Sequence, residues 1–120
     1  MNFSLTDGEA TFRDELRSWL QSELGDRNEE DETPDEAWDF TLKMRKKLAD
    51  KGWLTMAWPE EYGGQGASHM MQVIFAEEMS YFRAPGRDVF GTRMMAPTLM
   101  IHGTDEQKSE FLPPVSSGEV

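Results

Sequence analysis

A chain of 120 residues with 38% hydrophobic content can bury one compact core of modest size, and 12 basic against 23 acidic side chains give it a formal charge of −11. That charge repels polyphosphate and anionic lipid, which argues against nucleic acid and membrane surfaces as partners. With no cysteine and only two histidines, far apart in sequence, there is no disulfide framework and no metal motif.

The start, MNFSLTDGEATF, lacks the basic-then-apolar pattern of a secretory signal, and no apolar run approaches membrane-spanning length. A soluble, cytoplasmic chain is the expectation. Thr6-Asp7-Gly8-Glu9 is a capping box, in which threonine and glutamate each satisfy a backbone group left free at a helix start. Behind it Phe12, Leu16, Trp19, Leu20 and Leu24 recur at helical spacing, which predicts a helix over 7–24, with Gly25 in the left-handed conformation that ends it. The acidic stretch 26–32 has no apolar period and reads as a solvated loop; it lacks the glycine and final glutamate of a calcium loop.

Thr33-Pro34-Asp35-Glu36 offers a second capping box with proline preset at the first helical position. The helix it opens should run to about Lys51. Trp38, Leu42, Arg45, Leu48 and Ala49 form one flank, Phe40 and Met44 widen it, and Gly52 stops it. Residues 53–58 hint at extended backbone. The glycine-rich stretch WPEEYGGQGAS follows, and its Gly63-Gly64-Gln65-Gly66 raises the question of a phosphate cradle. Such a loop needs a strand before it and usually a lysine within it. Here the lysine is missing and Glu60 and Glu61 stand where a phosphate would approach, so the stretch reads as a turn.

A third helix opens at Ser68 and carries Met71, Ile74, Phe75, Met79 and Phe82, with Met70 and Val73 broadening the apolar arc. A broad arc implies burial on more than one side. Glu77 and Glu78 point about 100° apart, so one should face solvent and the other a structural hydrogen bond. Ala84-Pro85-Gly86 breaks this helix. The next apolar run spans 87–102, with Pro97 inside it at a cost of about 3 kcal/mol in a regular helix, so a kink or broken turn is expected there. Thr104-Asp105-Glu106-Gln107 is a third capping box, opening a short helix that Pro113-Pro114 should end. The predicted fold is all-α, an up-and-down helical bundle of four long helices and one short one. His69 and His102 have no partner at nucleophile or metal spacing; His102 complements the negative end of its helix.

Several of these pieces, taken in order, resemble one family. Gly52-Trp53-Leu54 followed by Pro59-Glu60-Glu61-Tyr62-Gly63-Gly64-Gln65-Gly66 is similar to a signature of the N-terminal helical domain of acyl-CoA dehydrogenases. The resemblance continues through Phe75-Ala76-Glu77-Glu78, Ala84-Pro85, Gly103-Thr104-Asp105-Glu106-Gln107-Lys108, Phe111-Leu112-Pro113 and Gly118-Glu119, and so spans nearly all of residues 1–120. It implies a flavoenzyme of three domains that oxidises an acyl-CoA thioester to its trans-2-enoyl product. A glutamate removes the α-proton, the β-hydride goes to FAD, and electrons leave through an electron-transfer flavoprotein.

In the family the flavin loop lies in a middle β domain and the glutamate base in a C-terminal helical domain. Both are absent from 1–120. The resemblance therefore implies no catalytic, cofactor-binding or metal-binding residue in this chain, no FAD bound to it alone, and no turnover by it alone. It does imply that the kinked segment before Gly103 lines the acyl pocket, with Phe90, Met94, Met95 and Thr98 as the substrate-binding candidates. The competing reading of these four is core packing. Arg87 and Arg93 could meet CoA phosphates, although pairing with local carboxylates is favoured. The partners implied are acyl-CoA, an electron-transfer flavoprotein, and further subunits in a homotetramer or hetero-oligomer. The alternative from a different class is a free-standing acidic helical module that binds another protein through exposed methionine and tryptophan.

Overall fold

The computed structural model describes residues 4–88 and 90–119, with only the backbone at Phe90. Residues 1–3, Val89 and Val120 lie outside that set, among them the start read above against a secretory signal and one residue of the fourth apolar run. Five α-helices follow in order: α1 (Asp7–Leu24), α2 (Pro34–Asp50), α3 (His69–Tyr81), α4 (Ala96–His102) and α5 (Asp105–Ser116). Single 3₁₀ turns occupy Glu29–Asp31 and Glu60–Tyr62, and a π-helical turn, Phe90–Met95, leads directly into α4. No strand occurs among the described residues, so the all-α expectation holds.

The helix starts are where local chemistry places them. Thr6 with Glu9, Thr33 with Glu36, and Thr104 with Gln107 each close both bonds of a capping box, at 2.9 to 3.2 Å. Such caps are worth about 1 kcal/mol each. Ser68 caps α3 through the Met71 amide at 3.2 Å.

The helix ends depart from expectation in instructive ways. Gly52 takes the left-handed conformation (φ 76°), as its position after α2 suggests. Gly25 does not; at φ −59° it stays right-handed, and the chain turns off α1 through a bond from the Arg27 amide to the Leu24 carbonyl. Pro113 and Pro114 do not end the last helix, because both lie inside α5. Leu112 and Val115 are each 3% exposed, so carrying the helix to Ser116 keeps both on one buried face. The helix bonds that the prolines forfeit belong to the carbonyls of Ser109 and Glu110, both exposed residues.

The predicted fourth long helix is instead a π-turn and the seven-residue α4, with Pro97 in the first turn of α4 rather than mid-helix. The short member of the set is therefore α4, and the final helix runs twelve residues. Residues 53–58 are not extended either. They fold as successive turns, with the Trp53 amide on the Leu48 carbonyl and the Trp58 amide on the Thr55 carbonyl, and they bury Trp53, Leu54, Thr55, Met56 and Trp58.

The chain divides into two compact units. One holds α1, the segment through Glu32, and Ser68–Ala84; within it α1 packs on α3. Phe12, Leu16 and Leu20 are the buried positions of α1, spaced by four, while Trp19 and Leu24 are half-buried. On α3 the buried set is Ile74, Phe75, Glu78 and Met79. The other unit comprises Thr33–Ala67 and the chain from Pro85 onward. Its α2 buries Met44 and Leu48 and leaves Trp38 more than half exposed. A cluster of Trp58, Ala96, Leu112 and Val115 ties the glycine-rich segment to α4 and α5, with Tyr62, Met95, Leu99 and Met100 packed against it.

Candidate functional site

The segment that bears the four candidate residues is shaped before α4 begins. Gly86, at φ 113°, passes so close to α2 that a Cβ there would meet the Arg45 nitrogen and the Met44 Cβ at 3.0 Å, and its carbonyl accepts from Arg45 Nε at 3.2 Å. Asp88 then caps the π-turn. Its Oδ1 accepts from the Gly91 amide at 3.0 Å, and its carbonyl accepts from the Thr92 amide at 2.9 Å and the Thr92 hydroxyl at 2.5 Å. Sequence reasoning missed this cap because it started a regular helix near Arg87; an aspartate three residues before Gly91 was the available signal. From the far side of the turn, the Trp58 indole nitrogen donates to the Thr92 carbonyl at 2.9 Å in a buried contact.

The candidates separate on this scaffold. Met94 is 59% exposed, and Thr98 is exposed with its hydroxyl donating to the Met94 carbonyl at 2.9 Å. Met95 is half-buried and packs on the Trp58 cluster, which is the core-packing role considered for it. The side chain of Phe90 lies outside the described residues. Ile101, 75% exposed, was not singled out in the sequence, yet at spacings of four and three it continues the line of Met94 and Thr98. The result is an exposed strip of one thioether, one hydroxyl and one branched alkyl group on the turn and the helix that follows.

Charged groups nearby do less than the sequence allowed. Among the described residues no carboxylate pairs with Arg87 or Arg93, against the local pairing favoured for them. In the other unit, Glu78 is 6% exposed and takes two bonds from Arg17, at 3.0 and 2.6 Å, while Glu77 is exposed, the division expected of adjacent glutamates. That hydrogen-bonded pairing, and then the charge of Glu78, raise the Arg17 guanidinium above its ordinary pKa. A buried carboxylate held in a two-point bond by a guanidinium acts as a structural group.

The glycine-rich loop is a turn. The Gly63 amide donates to the Glu60 carbonyl, Gly64 to Pro59 and Gly66 to Trp58, while the Gln65 side chain donates to the Gly52 carbonyl at 2.9 Å. The three glycine amides that a phosphate or flavin pyrophosphate would need are therefore already spent, which leaves no converging set of N–H groups to hold a nucleotide. An open groove of about 720 Å³ lies in the same unit between Tyr62, Lys108, Ser109 and Ser116, with Lys108 Nζ 3.3 Å from the Tyr62 hydroxyl; Met94, Met95 and Thr98 do not line it. Among the described residues no helix is long and apolar enough to cross a membrane.

The family model described as acyl-CoA dehydrogenase, N-terminal domain, matches residues 6–119, and the chain belongs to that family. It is 36% identical to acyl-CoA dehydrogenase FadE26 of Mycobacterium tuberculosis, over 100% of this chain and 31% of the relative. It is 29% identical to the short-chain specific acyl-CoA dehydrogenase of Clostridium acetobutylicum, over 99% of this chain and 31% of that protein. Among solved structures it matches a chain of the ChsE4-ChsE5 complex from Mycobacterium tuberculosis with a TM-score of 0.83 at 36% identity, covering 100% of this chain and 30% of the other. The Tcur3481-Tcur3483 steroid ACAD matches with a TM-score of 0.77 at 28% identity, over 100% and 31%. The chain thus spans about a third of the length of these relatives.

Proposed function

We propose that this chain is the N-terminal helical domain of an FAD-dependent acyl-CoA dehydrogenase, which removes hydrogen from the α and β carbons of an acyl-CoA thioester. Its own contribution is a wall of the acyl pocket, built from Met94 and Thr98 with Phe90 and Met95 beside them. The observation that carries this reading is the family match over 6–119 together with an exposed strip, Met94, Thr98 and Ile101, on a turn that is firmly capped.

The chemistry itself belongs to other residues. Removing an α-proton needs a poised, desolvated carboxylate and a stabilised enolate. Glu78 is committed to Arg17 and the glycine loop to its own carbonyls; it is the family resemblance that implies a base in a C-terminal helical domain and an FAD site in a middle β domain. What the flavin supplies when bound is acceptance of the β-hydride. An electron-transfer flavoprotein as acceptor and a cytoplasmic setting complete the reading. That both structural relatives are named as pairs, ChsE4-ChsE5 and Tcur3481-Tcur3483, favours a hetero-oligomer over a homotetramer. The steroid named for one of them makes a bulky, ring-bearing acyl group the first substrate to test, and a flexible, polarizable thioether such as Met94 suits such a surface.

The test is kinetic, on the flavoprotein that continues this chain. It should purify yellow and reduce an artificial acceptor with an acyl-CoA. Met94→Ala should change KM for a bulky acyl-CoA by about tenfold while kcat stays within about twofold, the scale of a lost apolar contact in a pocket. A colourless protein with no turnover on any acyl-CoA would sink the reading; an active enzyme indifferent to Met94 would sink the wall.

A further inference from the structure

We propose that Trp58 is a positioning residue for the acyl-pocket wall: its indole N–H replaces the hydrogen-bond donor that Pro97 lacks, and so holds the wide turn in the shape that presents Met94 and Thr98. The inference rests on the reading of that face as pocket wall and goes on to say what sets its shape.

In a π-turn each carbonyl looks five residues ahead for its donor. Five residues beyond Thr92 stands Pro97, which has no N–H to give. Thr92 is buried, so its carbonyl cannot turn to solvent, and the donor that reaches it is Trp58 Nε1 at 2.9 Å, from 34 residues earlier in the chain. Proline and tryptophan are thus two halves of one device. The proline removes a donor from the ladder, and the tryptophan supplies one from outside at a fixed place.

Trp58 can do this because its own backbone is locked by the glycine-rich loop. Its carbonyl accepts from the Gly66 amide at 2.8 Å, its amide donates to Thr55 at 3.0 Å, and Gly64 lies so close that a Cβ there would stand 2.1 Å from the Trp58 carbonyl oxygen. The ring is clamped in turn by Ala96, Leu112 and Val115. Lengthening the bond to Thr92 would move a carbonyl only two residues from Met94, whose own carbonyl anchors the Thr98 hydroxyl. The loop that does not hold a phosphate therefore acts on the pocket through one tryptophan.

Trp58→Phe keeps an aromatic ring and deletes the N–H. In this chain it should speed amide hydrogen exchange at residues 94, 95, 96 and 98, those of the 94–98 stretch that carry an N–H, by about tenfold, the scale of one lost hydrogen bond. In the complete flavoprotein it should shift the ratio of kcat/KM for bulky over straight-chain acyl-CoA by about fivefold, with kcat for the straight-chain substrate within about twofold. Adding Pro97→Ala returns an N–H to the ladder, so the double variant should recover both the slow exchange and the original preference. A tryptophan that only fills space would not be rescued this way. Should Trp58→Phe fail to fold, benzothienylalanine at the same position keeps the indole outline without the N–H.

Unchanged exchange at 94–98, accelerated exchange that Pro97→Ala does not reverse, or a restored turn with an acyl preference that never moved would each overturn the proposal. A wild-type flavoprotein inactive on every acyl-CoA would instead sink the pocket reading, and exchange with its rescue would then decide the clamp by themselves.

Discussion

Gly64→Ala is expected to destabilise the chain by about 3 kcal/mol or more, at the upper end of what overpacking costs. A Cβ at this position would stand 2.1 Å from the Trp58 carbonyl oxygen and 2.5 Å from both the Trp58 carbonyl carbon and Cβ. These are backbone atoms or fixed to backbone, so no flexible side chain can swing aside. Relief requires moving Trp58, which also gives up its bonds to Gly66 and Thr92. Gly66 provides the control. It is left-handed at φ 58° but has nothing within 4 Å of a built Cβ, so alanine there costs only backbone strain, about 1 to 2 kcal/mol. Urea denaturation followed by tryptophan fluorescence should rank Gly64→Ala well below Gly66→Ala in stability. Equal losses would mean that the loop is not packed on Trp58.

Leu16→Ala should cost about 2 to 5 kcal/mol. Leu16 is fully buried on α1, midway between Phe12 and Leu20, on the helix that packs against α3. Truncation removes three heavy atoms from a site closed on every side, and a cavity persists unless both helices shift. Ile101→Ala removes as many atoms from a side chain 75% exposed and should stay within about 0.5 kcal/mol of wild type. A lowered urea midpoint at unchanged slope for Leu16→Ala, and none for Ile101→Ala, is the expected pair of results. A large loss at Ile101 would show the strip to be core.

What was legible in the sequence was local. Thr6-Glu9, Thr33-Glu36 and Thr104-Gln107 announce helix starts because each box is complete within four residues, and α1 runs over the predicted 7–24. Periodicity at four-residue spacing likewise found Phe12, Leu16 and Leu20. Helix ends were less legible. Gly25 and Gly52 both follow a helix, yet only the second is left-handed, since glycine permits that conformation without compelling it. Prolines were read correctly where the effect is local, since Pro34 opens α2 and the run around Pro97 is broken by the π-turn, and misread at Pro113 and Pro114, where what outweighs their cost is tertiary. Burial of Leu112 and Val115 carries α5 through Pro113 and Pro114, and the capped turn before α4 puts Pro97 where a helix tolerates it.

The site was half legible for the same reason. Apolar residues around Pro97 could be picked out, but whether each faced solvent or core was settled by packing; Met94 and Thr98 are exposed, while Met95 belongs to the Trp58 cluster. The contact that shapes the turn, Trp58 to Thr92, joins residues 34 apart and leaves no periodic trace. The family resemblance was readable where chemistry is least forgiving, in the glycine and proline turns between helices, and the match over 6–119 agrees with it.

The placement of Met94 and Thr98 on the acyl pocket is tested most directly by photo-crosslinking the complete flavoprotein with an acyl-CoA that carries a diazirine near the end of its acyl chain. Trypsin cuts after Arg93 and Lys108 and releases residues 94–108 as one peptide. Label in that peptide, lost on competition with unlabelled acyl-CoA, is the expected result. Competable label confined to other peptides, with none in 94–108, would contradict it.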